Sequence, residues 1–152
     1  MKPFEKILVS LDLDLVTAPV VALAGQVATT CGARVELIHV FETPGYEGPM
    51  TLEVKDAQDP ELARWRTARM MMGLLQNLAG HGVQARGRMI FGVVEAELEN
   101  LARSEHFDLI VIGSHSREGL DRFIQGSVAG ALIRNAPCPV LVLPHVQDVI
   151  PD

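Results

Sequence analysis

The chain lacks most of the features that would mark a disulfide-bonded, membrane-bound or nucleic-acid-binding protein. Its two cysteines, Cys31 and Cys138, form neither a CxxC pair nor a metal-ligand cluster, so no disulfide framework is implied. Cys31 instead falls on the helical stripe Val20, Leu23, Val27, Cys31, where a small buried hydrophobe is expected. No segment approaches the uninterrupted apolar length of a membrane span. The opening MKPFEKILVSLDLD reaches Asp12 after too short an apolar run for a signal peptide, so a cytoplasmic location without a membrane partner is the expectation. Basic excess is missing too. A formal net charge of −6 provides no sequence-wide positive field for nucleic acid or anionic lipid, and any anion site has to be built locally.

The familiar catalytic and nucleotide signatures are also missing. No GxGxxG follows the first strand, and no glycine-rich loop ends in GK[ST], which excludes a standard dinucleotide domain and a P-loop. A hydrolase would have to recruit Ser114 or Ser116, His115, and Asp108 or Asp12, but no GxSxG elbow surrounds either serine. His39, His81, His106 and His145 show no HExxH or clustered spacing, so a zinc site is not expected. Slow ATP hydrolysis would require a metal, a water-positioning group and charge stabilisation, and only the arginines of the third kind are visible. The sequence therefore favours a binding protein over a conventional catalyst.

What is present is a regular alternation. With 48% hydrophobic and 21% charged residues in 152, the chain has the make-up and size of one domain spanning 1–152. Lys6 to Leu11 reads as a strand, and Thr17 to Cys31 as a helix stopped by Gly32. Val35 to Phe41 is a second strand, followed by a long Gly-, Pro- and acid-rich loop. Pro60 to Ala79 places Leu62, Trp65, Ala68, Met72, Leu75 and Ala79 at helical steps, with Asp59 as a cap, and is predicted to be the longest helix. Its Met70-Met71-Met72 run is assigned to core packing. Val83 to Phe91 is a weaker, more polar strand suited to an edge. A helix around Val94, Leu98, Leu101 and Ala102 follows, then the buried strand Asp108 to Ile112. Ser127 to Arg134 forms the last helix, and PVLVLP the last strand, also expected to be buried.

Five strands alternating with helices imply an open parallel sheet, Rossmann-like, with helices on both faces. In such sheets ligands bind beyond the carboxyl ends of the strands, where strand order reverses, which draws attention to Asp12, Val40 and Gly113. The stretch IGSHSREGLDRFIQGSVAG then carries two Gly-Ser pairs, with a basic loop between them. A helix opening at Gly126-Ser127 offers unpaired N–H groups and positive dipole potential, and Gly126 admits a ligand close to the chain. Ser127 either caps the helix or donates to a phosphate, and Arg117 and Arg122 supply charge-assisted contacts. The same glycines also suit ordinary turns, and Asp12 also suits a turn or helix cap.

The residues KILVSLD, LIHV, DLIVIGSHSREGL and GSVAGALIRNAPCPVLVLP, in that order over nearly the whole chain, resemble the universal stress protein family. The resemblance implies a sheet order of 3-2-1-4-5, dimerisation through the last strand, and an adenine-nucleotide site for ATP, with Mg, or AMP. The family pattern G-2x-G-9x-G-[ST] would begin at Gly113 and end at Gly126 and Ser127, with Ser116 in the place of its second glycine. A Cβ at position 116 either strains the chain and crowds the phosphates or brings a hydroxyl donor. By the same resemblance Asp12 lies near the adenosine, Val40 meets the adenine through its backbone, and Ile112 and Val128 line the pocket. Glu118 and Asp121 place negative charge in the phosphate loop, which favours AMP over ATP. As the fifth strand in that order, Val140, Leu141, Val142 and Leu143 would form an exposed sheet edge, covered by pairing with a second copy. The implied function is a nucleotide-responsive stress module; the alternative is a nucleotide-free dimer acting through protein contacts.

Overall fold

A computed structural model of the chain describes residues 3–12, 17–42, 60–114 and 127–144. The elements follow the expected alternation: β1 (Lys6–Ser10), α1 (Thr17–Cys31), β2 (Arg34–Glu42), α2 (Pro60–Gly80), β3 (Ala85–Gly92), α3 (Val94–Ser104), β4 (Leu109–Ser114), α4 (Ser127–Asn135) and β5 (Val140–Pro144). Two helix ends show why the chain turns where it does. Gly32 takes φ 70° after α1, a left-handed conformation that costs glycine little. After α3 the left-handed position falls to His106, φ 56°, and the Phe107 N–H closes the end by donating to the Ala102 carbonyl at 3.1 Å.

All strand pairs are parallel, in the order β3-β2-β1-β4-β5. Alternating side chains feed two cores. On one face Ile7, Val9, Leu37 and Val111 pack with α1 and α2 residues such as Ala24 and Leu78. On the other, Leu8, Ile38, Ile110 and Ile112 pack against Leu98 and Ala102 of α3 and Ala129 and Leu132 of α4. Because helices cover both faces, β1 and β4 are apolar at successive positions, which is why they read as continuous runs.

Three expectations need correction. The buried stripe of α2 runs through Thr67, Met71 and Leu78, whereas Trp65 is 74% exposed and Met72 59%. The reason lies in β3: Met71 seats directly over Gly87, where a Cβ would collide with its sulfur. That seat turns the helix away from the stripe containing Trp65 and leaves Met71 as the sole core residue of the methionine run, with Met70 also exposed. Second, Val140 to Leu143 are half-buried rather than buried, because β5 has a neighbour on one side alone. Third, Cys31 packs against the first core but is half-buried too, being the last residue of α1.

β3 holds the opposite edge, and its polarity serves an ionic cluster. Arg88 donates both Nη groups to the Glu105 carboxylate at 2.7 Å and its Nε meets Glu36 Oε1. Glu36 is buried, with its other oxygen 3.2 Å from Arg86 Nη2. The Arg88 hydrogen bonds hold the Glu105 carboxyl below its ordinary value of 4.5, and Glu105 in turn raises Arg88. A carboxylate lowered in the folded state stabilises above its unfolded pKa and loses that contribution as pH falls through the folded one. Glu105→Gln is therefore expected to be less stable than the parent at neutral pH, with the gap closing below the ordinary carboxylate range. Urea midpoints measured from about pH 7 down to about pH 3 check this.

Candidate functional site

The sheet opens at one place. β1 and β4 pair through Ile7–Leu109, Leu8–Ile110 and Val9–Val111, and there their pairing ends. Beyond that point β1 leans toward β2, with the Leu11 N–H donating to the Ile38 carbonyl at 2.9 Å. β4 instead continues along β5, matching Ile112 with Val142, Gly113 with Leu143 and Ser114 with Pro144. The two central strands thus diverge at their carboxyl ends, and β1 has its sequence neighbour β2 on one side and β4 on the other. This is the strand-order reversal at which open α/β sheets place ligands.

The expected site residues distribute around that divergence. Val40 and Ile112, each 6% exposed, belong to the apolar cluster on the α3–α4 face, and half-buried Val128 of α4 packs against the same cluster. The structure therefore places these three in one apolar cluster, with Val40 and Ile112 buried and Val128 at its margin. Gly113 is half-buried next to Ile112 in β4. Asp12 lies two residues past β1 and is exposed. Ser127 opens α4, whose amino end is at the carboxyl end of the sheet because a crossover helix runs antiparallel to its strands. Ser116, Arg117, Arg122 and Gly126 lie outside the described residues.

Sequence reasoning missed two participants. Ser10 is half-buried one residue beyond the Val9–Val111 pair, level with Ile112 and on the face of Leu8. It interrupts the run KILVSL with a hydroxyl at the end of β1; that interruption was its signal. His39 was weighed only as a metal ligand, whereas its Nδ1 stands 3.0 Å from the Leu11 carbonyl and must donate, a carbonyl being an acceptor only. It ties the exit of β1 to β2 immediately before Asp12, and its ring meets Phe41 edge-on at 4.7 Å. No local pattern announces such a contact between residues 28 apart.

Of the residues a hydrolase would recruit, Asp108 and Ser114 stand apart, and His115 and Ser116 lie outside the described residues. Asp108 precedes β4, where its carboxylate accepts the main-chain N–H groups of Glu5 at 2.8 Å and Lys6 at 3.1 Å. Ser114 is at the far end of that strand, about 20 Å away at the rise of a parallel strand.

Comparison with known proteins agrees with this geometry. A family model described as the universal stress protein family matches residues 3–144. A universal stress protein of Methanocaldococcus jannaschii is 29% identical over 140 residues, covering 92% of this chain and 82% of that one. The fold is similar to that of a universal stress protein from Lactobacillus plantarum, with TM-score 0.74 and 22% identity over 92% of this chain and 97% of the other. It is also similar to a universal stress protein crystallised in complex with cAMP, with TM-score 0.71 and 18% identity over 93% and 98%.

His39→Phe keeps the aromatic contact but removes the donor to Leu11. It is expected to cost about 1 kcal/mol and to speed amide exchange selectively at Leu11 and Asp12. Exchange measured by NMR on both proteins checks this, and unchanged rates at those two amides would count against the tie.

Proposed function

Because the chain belongs to the universal stress protein family, we propose that it is a regulatory binding module that takes an adenine nucleotide at the divergence of β1 and β4, and not a conventional catalyst. The divergence is the observation that carries the reading. It opens a crevice beside Val40, Ile112 and Val128, an apolar wall suited to an adenine ring, and next to the amino end of α4, whose dipole favours phosphate. Asp12 stands near enough to the exit of β1 to serve the adenosine. Gly113, Gly126 and Ser127 supply close backbone approach and donors, and Ser116, Arg117 and Arg122 line the phosphates. The cAMP complex of a structural neighbour supports the same ligand class. With Glu118 and Asp121 in the phosphate loop, AMP is favoured over ATP, whose charge would call for Mg. Such a module acts in the cytoplasm by presenting its ligand state to partners.

Thermal melts with ATP, AMP and cyclic AMP, together with chromatography of nucleotide released on denaturation, test this. A ligand at a hundred times its dissociation constant stabilises by about 2.7 kcal/mol. Asp12→Ala is expected to weaken AMP about tenfold, the worth of one charge-assisted hydrogen bond. Ser116→Gly strengthens ATP binding where the Cβ is the obstacle, and weakens it where the hydroxyl donates. No released nucleotide and no melting shift would favour the other reading, a nucleotide-free dimer, which the serine in the glycine's place supports.

We further propose that the module is a homodimer through β5. Val140, Leu141, Val142 and Leu143 are half-exposed on an edge whose outer backbone groups have no strand neighbour in the sheet. Light scattering at micromolar concentration is expected to give twice the chain mass. Val142→Lys would shift it toward monomer, and a monomeric parent protein would sink the idea.

A further inference from the structure

The amino end of the sheet, opposite the proposed nucleotide site, carries a cavity. It has a volume of about 320 Å³ and is lined by Lys6, Arg34, Val35, Glu36, Gln84, Ala85 and Arg86. That volume falls at the lower end of the range for small-molecule sites. Three cations face one carboxylate there, in a protein whose net charge is −6.

The surplus is real when partners are assigned. Arg88 and Glu105 neutralise each other as a bidentate pair. Arg86 Nη2 lies 3.2 Å from buried Glu36 and 4.0 Å from the Glu105 carboxylate, yet the Arg86 side chain remains 67% exposed, so its other N–H groups are available outward. Lys6 Nζ donates to the Glu105 carbonyl at 2.9 Å and lies 4.3 Å above the Phe107 ring, with the Glu105 carboxylate at 3.6 Å. Asp108, next to Lys6 across the sheet, does not line the cavity and turns to main-chain N–H groups. Arg34 is exposed and has no side-chain ion pair among the described residues. It is also the in-register neighbour of Lys6, a like-charge pairing that costs stability when no counter-charge is present.

We propose that this cavity is a second ligand site, specific for a phosphate group, either inorganic or carried on a small phosphomonoester. Glu36 fixes Arg86 from behind as an orienting carboxylate, and the forks of Arg34 and Arg86 close on the anion from neighbouring strands. Planar guanidinium groups match phosphate oxygens in pairs. The unbalanced charge of the lining, two positive, matches a phosphate near neutral pH, which bears about −1.5 to −2. Its position at the amino ends of β1, β2 and β3 makes it independent of the crevice between β1 and β4.

Amide NMR on the full chain, titrated with inorganic phosphate and with glycerol phosphate at constant ionic strength in chloride, tests the proposal. Repeating each titration with saturating cyclic AMP, a phosphodiester without a terminal phosphate, keeps the two sites apart. Saturable shifts are expected at Arg34, Val35, Gln84 and Arg86, with or without cyclic AMP. Preference for one titrant separates free phosphate from a phosphomonoester. Arg34→Gln is expected to weaken binding about tenfold, the worth of one charge-assisted contact, and to raise melting in chloride slightly by relieving the like-charge pairing with Lys6. Arg34→Lys should keep part of the affinity. Shifts that rise without saturation, shifts confined to Val40, Ile112 and Gly113, or equal affinity in Arg34→Gln would each overturn it.

Discussion

The pairing of β1 with β4 is the constraint on which the rest of this structure depends. Those strands are separated in sequence by two other strands and three helices, so joining them closes the longest loops of the sheet before any local contact rewards it. What holds them is burial on both faces: Ile7, Leu8, Val9, Ile110 and Val111 are fully inaccessible. The hydrophobic gain from such strands is what offsets the ordering of the chain around them.

The same pairing ends early, and the proposed nucleotide site rests on that ending. After Val9–Val111 each strand follows its outer partner, and the space between them belongs to neither. A ligand pocket at this position needs no special loop to open it, since it follows from a sheet that grows outward in both directions from its centre. His39 and Ser10 belong to this geometry: one fixes the exit of β1, the other is half-buried at the last position of that strand.

The outer strands differ in how they end the sheet. β3 is polar along the α3 face, and its arginines are tied to buried Glu36 and to Glu105 at the end of α3. Truncating one member of such a buried pair leaves an unpaired charge, which makes the cluster costly to disturb. β5 is apolar on both faces and half-exposed, so it lacks the charges that blunt an edge. One edge is thus guarded by ions beside a cationic cavity, while the other is an apolar strand without such charges.

By itself the sequence determined the order and type of every described element, because apolar runs, helical spacing and the stops at Gly32 and before Pro139 are local signals. It also marked Asp12, Val40 and Gly113 as residues near strand ends. Tertiary structure alone decided which stripe of α2 is buried, since Met71 and Trp65 are both apolar and only the gap over Gly87 in β3 distinguishes them. It likewise decided the His39 tie to Leu11 and the gathering of Lys6, Arg34 and Arg86 around one cavity. Those groups come from separate strands, and their meeting depends on register, which is set by burial across the whole sheet rather than by any stretch of the chain.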